Sequence, residues 1–118
     1  MVIQTFKQIV AWQKAHELVL TVYEITDGFP RKEDFVLTSQ MRRCAISIAS
    51  NIAEGFKRKT KNDSLHFYNM AQGSLEELKY QLLLSRDLRY IADDEYNKAS
   101  DKAEETGKLL YGWMKIQR

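Results

Sequence analysis

The segment Leu37–Phe56, LTSQMRRCAISIASNIAEGF, decides the fold of this chain. Its apolar residues recur every three or four positions, which predicts a helix with one buried stripe. That stripe consists of Leu37, Met41, Cys44, Ile48 and Ile52. A second stripe, of hydrogen-bonding side chains, lies beside it and consists of Gln40, Arg43, Ser47, Asn51 and Glu54. Since a solvated helix face more often carries Lys and Glu than Ser, Asn and Gln, we expect neighbouring helices to enclose this one on several sides.

The composition is that of a single all-α domain. The chain has 118 residues, of which 44% are hydrophobic and 29% charged, and only one Pro and five Gly are present to form turns. No run reaches the roughly 18 to 20 apolar residues of a membrane span. The first residues lack the basic and then apolar pattern of a secretory signal, and the single cysteine, Cys44, forms no internal disulfide. We therefore expect a cytoplasmic protein with no membrane partner.

Turn and capping residues divide the chain into four helices, at about residues 10–27, 38–55, 62–88 and 93–117. Gly28 and Pro30 are expected to end the first helix. Thr38 is expected to cap the second, and Gly55 to end it in a left-handed conformation. Gly73 falls inside the third helix, where it predicts close packing against a neighbour or a gentle bend. Four helices with short connectors predict an antiparallel up-down-up-down bundle.

The third helix has more apolar surface than one bundle core needs. Its core stripe consists of Leu65, Tyr68, Ala71, Leu75, Leu78 and Leu82. Further apolar side chains point in other directions, which indicates a second burial partner and predicts a homo-oligomer. The residues expected at that interface are Phe67, Tyr80, Leu83 and Leu84. The alternative is the scatter of exposed apolar residues that any soluble protein has.

Two motifs, the second downstream of the first, are specific in combination. Residues 51–55 read Asn-Ile-Ala-Glu-Gly, and residues 71–78 read Ala-Gln-Gly-Ser-Leu-Glu-Glu-Leu. A further stretch, residues 10–18, reads Val-Ala-Trp-Gln-Lys-Ala-His-Glu-Leu. With these motifs the chain resembles, over nearly its whole length, the 23S rRNA-intervening-sequence family of small four-helix-bundle proteins.

The resemblance implies an antiparallel four-helix bundle that assembles as a ring, typically a homopentamer. Some members are encoded within insertions in ribosomal RNA genes. The family is also similar to the accessory protein of diversity-generating retroelements, a pentamer that works with a reverse transcriptase and nucleic acid, so a reverse-transcriptase-like protein is one implied partner. The chain departs from the family pattern at Val36 and Arg89, where Gly is expected, and at Cys44, where Ala is common.

The polar stripe, together with two residues of the third helix, has two interpretations. Glu54 and Glu77 form a carboxylate pair for acid–base chemistry, or Arg43 pairs with one carboxylate in a structural network. No nucleophile or second base stands at a suitable spacing, so we expect the network and no catalytic residue. Its members are Gln40, Arg43, Ser47, Asn51, Glu54, Ser74 and Glu77.

Metal and cofactor chemistry has little support in the sequence. Metal sites in four-helix bundles combine Glu from two helices with Glu-x-x-His from two others. This chain has two histidines and no Glu-x-x-His. We therefore expect no metal, no cofactor and no small-molecule substrate.

The basic connector between the second and third helices, residues 57–61, is the best functional candidate. It carries Lys57, Arg58, Lys59 and Lys61 directly after Phe56, so it offers cations for phosphate and a ring for stacking. Arg42 is expected to extend this patch. The hypothesis is a non-enzymatic, homo-oligomeric and pentameric scaffold that binds RNA, DNA or a protein that handles nucleic acid. The alternative is a purely structural or protein-adaptor oligomer whose charges serve solubility.

Overall fold

The computed structural model describes residues 2–116. Over this range the chain forms four α-helices and no strand, as the sequence predicts for an all-α chain. The helices are α1 (Val10–Thr26), α2 (Leu37–Phe56), α3 (Lys61–Asp87) and α4 (Asp93–Ile116). Single 3₁₀ turns at Phe6–Gln8 and Arg31–Glu33 precede α1 and α2. The predicted end of the last helix, residue 117, lies outside the described residues.

Each helix packs against two others around one core. Helix α2 contacts α1 and α3, and α4 also contacts α1 and α3. Between residues 2 and 116, α1 does not approach α3 and α2 does not approach α4. The described part of the chain measures 43 × 25 × 19 Å. None of its helices is both long enough and apolar enough to cross a membrane.

The apolar stripe of α2 forms the centre of the core. Met41, Ile48 and Ile52 are fully buried, and Leu37 and Cys44 are 6% exposed. The other helices complete the core with Leu18, Val22, Tyr68, Leu78, Leu82, Ala99, Ala103 and Leu110. Burial of these side chains stabilises the packed helices by about 25 cal/mol for each Å² of apolar surface removed from water.

The start of α2 differs from the prediction. Val36 is the N-cap residue and makes no side-chain cap bond, whereas the Glu33 carboxylate accepts a hydrogen bond from the Leu37 N–H at 3.3 Å. Thr38 is buried, and its hydroxyl has no hydrogen-bond partner in the described part of the chain. The prediction that Thr38 caps α2 is wrong, because the N-cap is Val36, two residues earlier, and Thr38 is the second residue of the helix, with its side chain buried.

Two glycines have roles other than those predicted. No glycine among residues 2–116 has a positive φ, so the predicted left-handed end at Gly55 is wrong. Gly55 lies inside α2, and a Cβ at this position would overlap the ring of Tyr68, so the glycine allows α2 and α3 to approach. Gly73 faces open space, because a Cβ there would meet nothing within 4 Å. The close packing predicted at Gly73 is therefore absent within the described chain.

The turn after α3 contains the one non-glycine residue of the described range with a positive φ, Arg89, at 64°. The N–H of Tyr90 donates to the carbonyl of Ser85 and the N–H of Arg89 donates to that of Arg86, each at 2.9 Å. This pair of bonds is the Schellman motif, in which Gly usually occupies the left-handed position. Arg89 thus stands in a backbone conformation that costs a residue with a Cβ about 1–2 kcal/mol.

Candidate nucleic-acid interface

The turn between α2 and α3 and the first residue of α3 together present four exposed cations, Lys57, Arg58, Lys59 and Lys61. The turn is short because α2 ends at Phe56 and α3 begins at Lys61. The Thr60 hydroxyl caps α3 by accepting a hydrogen bond from the Asp63 N–H at 3.1 Å. This local geometry concentrates the four positive charges at one end of the two helices.

Two of these cations make contacts with their own chain. The Arg58 guanidinium lies 3.0 Å from the Glu54 carboxylate and 5.0 Å from the centroid of the Phe67 ring. The Lys57 ammonium lies 5.9 Å from the centroid of the Phe56 ring. Exposed pairs of this kind contribute only about 0–1 kcal/mol, so a phosphate competes with them easily. Lys59 and Lys61 have no ion-pair partner among residues 2–116.

Arg42 does not join the connector. It lies fifteen residues before Lys57, which corresponds to about 22 Å along α2 at ~1.5 Å per residue. Its Nε donates to the Thr26 hydroxyl at 2.9 Å, and its guanidinium lies 4.5 Å from the centroid of the Tyr23 ring. Asp27 is 3.9 Å away. Arg42 therefore fastens α2 to the C-terminal end of α1.

Part of the polar stripe forms a hydrogen-bonded network between α2 and α3. The hydroxyls of Ser47 and Ser74 are 2.9 Å apart. The Asn51 amide donates to the carbonyl of Ser47 at 2.8 Å and to its hydroxyl at 3.0 Å. The Cys44 thiol, which the sequence assigns to the apolar stripe, donates to the Ser74 carbonyl at 2.8 Å.

The remaining members of the predicted network lie apart from it. Gln40, Arg43 and Glu54 are exposed, and Arg43 pairs with no carboxylate between residues 2 and 116. The Glu54 carboxylate forms an ion pair with Arg58 instead of Arg43. The exposed Glu77 carboxylate accepts a hydrogen bond from the Gln81 amide at 3.3 Å. The predicted pairing of Arg43 is therefore not formed within this chain. The physical reason is that, within residues 2–116, α1 and α3 are the helices that pack against α2, and the side of α2 that carries Arg43 is exposed to solvent.

The structure does not bring Glu54 and Glu77 together as an acid–base pair. The Cys44 thiol donates to the Ser74 carbonyl, so Glu77, which follows Ser74 by about one turn of α3, lies at the level of Cys44. Burial, and after it the charge of Glu77, raises the pKa of Cys44 to about 12. Glu54 is ten residues further along α2, about 15 Å away along the helix axis. The Cys44 thiol stays protonated at neutral pH and is not a nucleophile. The described residues contain no group of three or more His, Cys, Asp or Glu side chains arranged to hold a metal ion.

Two of the four predicted interface residues share a groove. Tyr80, which is 60% exposed, and the half-buried Leu84 line a groove of about 570 Å³ between α2 and α3. Phe67 lies elsewhere on α3, under Arg58, and Leu83 does not line the groove. The groove also contains apolar residues that sequence reasoning missed, namely Val36 and Leu88.

The signal for this wider apolar surface was present in the sequence. Phe35 and Val36 form an apolar pair within an otherwise polar connector. In the structure Phe35 is 95% exposed and Val36 is 59% exposed. Large apolar side chains in such a position indicate an interaction surface.

The fold and these surfaces define a small four-helix protein that presents a basic turn and an apolar groove to its surroundings. Residues 7–112 match the family model described as the 23S rRNA-intervening sequence protein. Because the match covers most of the chain, the chain belongs to this family, as the sequence motifs predict.

A solved structure supports the same assignment. The crystal structure of a protein with unknown function from the S23 ribosomal protein family of Bacteroides thetaiotaomicron has a TM-score of 0.83 and 25% sequence identity to this chain. The alignment covers 91% of this chain and 96% of that one. No protein of curated function matches the chain.

Proposed function

We propose that this chain is a subunit of a homo-oligomeric scaffold, without enzymatic activity, that binds nucleic acid or a protein that handles nucleic acid. Its helices run up-down-up-down, and five copies form a ring, as the family resemblance implies. A relation to the accessory proteins of retroelements belongs to the same proposal and makes a reverse-transcriptase-like protein one partner. The observation that carries the proposal is the group of four exposed cations within residues 57–61, on the short turn and at the start of α3.

The connector suits a phosphate backbone because its charge is dense and solvent-accessible. Each Lys or Arg that neutralises a phosphate releases bound counterions, which drives association at low salt. One connector offers only four cations, so a single copy binds weakly. A ring repeats the connector around an axis, and simultaneous engagement raises the overall affinity by orders of magnitude without any new contact.

The oligomer is supported by the apolar groove between α2 and α3. Tyr80, Val36 and Leu88 are 60%, 59% and 45% exposed in the single chain. Burial of such a patch between copies removes apolar surface from water. Light scattering after size-exclusion chromatography is expected to give 69 kDa for five copies of the 13.8 kDa chain. A constant 13.8 kDa at high micromolar concentration would contradict the ring.

The nucleic-acid part is tested by removal of the connector charges. Binding of single-stranded and duplex RNA and DNA 20-mers is measured by fluorescence anisotropy between about 50 and 200 mM salt. The variant K57A/R58A/K59A/K61A is expected to bind more weakly, with a salt slope smaller by up to about 3 for single strands, since each contact contributes roughly 0.7.

A control variant removes the same numbers of Lys and Arg from other exposed positions, in the form R31A/K32A/K98A/K108A. It has the same net charge as the connector variant and is expected to keep most of the binding. Equal losses in the two variants would mean that net charge alone attracts nucleic acid. Absence of binding by the unaltered protein at low salt would remove the nucleic-acid part of the proposal.

The second candidate is a structural or protein-adaptor oligomer. It is favoured by the contacts of Arg58 and Lys57 with their own chain, and by the apolar character of the groove. In this case a pull-down recovers the same amount of a protein partner with and without nuclease treatment. The connector variant recovers as much of that partner as the unaltered protein does. Loss of that partner on nuclease treatment would favour the leading proposal.

A further inference from the structure

A groove of about 310 Å³ lies between α1 and α2, on the opposite side of α2 from the Ser47–Ser74 network, and one wall of it is aromatic. The rings of Trp12 and His16 are stacked, with centroids 5.2 Å apart and planes that differ by 4°. Phe6 packs edge-on against Trp12 at 4.9 Å. We call these three residues the aromatic ladder. Phe6 and Trp12 are half-buried, whereas His16 is exposed.

The opposite wall of the groove is formed by α2, of whose lining side chains Ala49, Ser50 and Ala53 are small and Ile46 is large. The three small side chains leave a slot beside the aromatic ladder. A volume of about 310 Å³ is at the lower end of the range of roughly 300–1,000 Å³ for small-molecule sites. The slot is therefore large enough to hold one planar ring system beside the aromatic ladder.

Positive charges lie at both ends of this face of α2. Lys57 follows Ala53 by four residues, so one helical turn of about 6 Å separates the groove from the first connector cation. Arg42 lies at the other end, where it contacts Tyr23 and Thr26 of α1 and lies 3.9 Å from the exposed Asp27 carboxylate. The only carboxylate of α2, Glu54, is paired with Arg58. Aromatic rings next to cations form the combination with which proteins hold single-stranded nucleic acids.

We propose that the aromatic ladder is a stacking site for the unpaired bases of single-stranded RNA or DNA. This inference rests on the proposed nucleic-acid binding and assigns it a substrate class. The phosphates contact the connector, and the strand continues along α2, so that a base stacks against His16 in the slot. A base in a duplex is already stacked on its neighbours and does not enter the slot without unpairing. Stacking tolerates any base, so the site prefers single strands and not a particular sequence.

The first test compares the two histidines of the chain. His16→Ala removes the exposed ring of the aromatic ladder, and His66→Ala removes an exposed imidazole that packs edge-on against Phe67 on α3. We expect H16A to weaken binding of a single-stranded thymidine 20-mer roughly fivefold or more, whereas H66A leaves it unchanged. The unaltered protein, H16A and H66A are expected to bind a duplex 20-mer with the same affinity, which is lower than the affinity of the unaltered protein for the single strand.

The second test reads the aromatic ladder directly and does not depend on a loss of binding. The chain has two tryptophans, so Trp113→Phe leaves Trp12 as the only indole fluorophore. Stacking of a base on the Trp12–His16 pair is expected to quench the fluorescence of Trp12, and the quenching is expected to saturate as the single strand is added. The duplex at the same nucleotide concentration is expected to cause little quenching.

The outcomes separate this inference from the proposed function. One outcome is that the connector variant loses binding while H16A binds the single strand as tightly as the unaltered protein and Trp12 emission is not quenched. In that case nucleic-acid binding stands and the stacking site is overturned. If the unaltered protein binds no nucleic acid at low salt, both are overturned. If H16A lowers the oligomer mass, the groove is an interface between copies, and the stacking site is overturned.

Discussion

Arg89 occupies a backbone conformation that suits glycine, with a φ of 64° in the turn after α3. Substitution Arg89→Gly removes the repulsion between Cβ and the following carbonyl, so we expect a gain of about 1 kcal/mol in the free energy of unfolding. A gain of this size raises the melting temperature by about 4 °C. Urea and thermal unfolding measure the change.

The control for Arg89 is Arg89→Ala. It removes the same charge and side chain but keeps the Cβ, so it is expected to leave stability nearly unchanged. Equal stabilisation by Gly and Ala would mean that the charge or the long side chain, and not the left-handed backbone, is unfavourable at this turn.

Cys44 gives the core a pH dependence on the alkaline side. Burial, followed by the charge of Glu77, raises the pKa of its thiol from 9.0 to about 12. The folded chain therefore prefers the protonated thiol: this stabilising contribution is complete below pH 9 and is lost as the pH rises toward 12. We expect the unfolding free energy of the natural protein to fall more steeply than that of Cys44→Ala between about pH 9 and 11.

Urea unfolding at several pH values checks this prediction. Tyr68, whose pKa is also raised by burial, titrates in both proteins and cancels in the comparison. Parallel curves for the two proteins would show that the thiol ionises as easily in the folded chain as in the unfolded one.

At the scale of the helices, two glycines of adjacent elements are expected to respond in opposite ways to the same substitution. Gly55→Ala places a Cβ against the Tyr68 ring, where α2 and α3 approach. Overpacking of this kind costs about 1–3 kcal/mol. Gly73→Ala adds a Cβ in open space inside α3, and is expected to stabilise the helix by about 0.5–1 kcal/mol.

Chemical denaturation of the two variants tests the pair. The comparison also probes assembly, because a neighbouring copy that packs closely on α3 at Gly73 would turn the expected gain into a loss. A G73A variant that is less stable and has a lower oligomer mass would therefore place this face of α3 in an interface. A G55A variant with unchanged stability would contradict the close approach of α2 and α3.

At the scale of the whole molecule, the proposed oligomer depends on the groove between α2 and α3. Tyr80 and Tyr111 are exposed to similar degrees, 60% and 56%, but only Tyr80 lines this groove. We expect Tyr80→Lys to lower the oligomer mass measured by light scattering, since it puts a charge into a desolvated interface. Tyr111→Lys, on α4, is expected to keep the mass. The reverse result would move the interface to α4.

Local spacing determined which residues form the helices and which of their faces are apolar. The stripe from Leu37 to Ile52 is buried because a 3.6-residue period places those side chains on one side of α2 wherever the helix packs. The family assignment likewise followed from two short motifs of the sequence, and residues 7–112 match that family.

Only the tertiary structure decided the partners of individual polar side chains and the shapes of the surfaces. Arg42 binds α1 instead of the connector, Gly55 makes room for Tyr68, and Thr38 faces the core. The aromatic ladder was also not predicted from the sequence, although Trp12 and His16 lie about one helical turn apart. The physical reason is that helix periodicity follows from local geometry along one chain segment, whereas these features depend on how two helices meet and on where each begins.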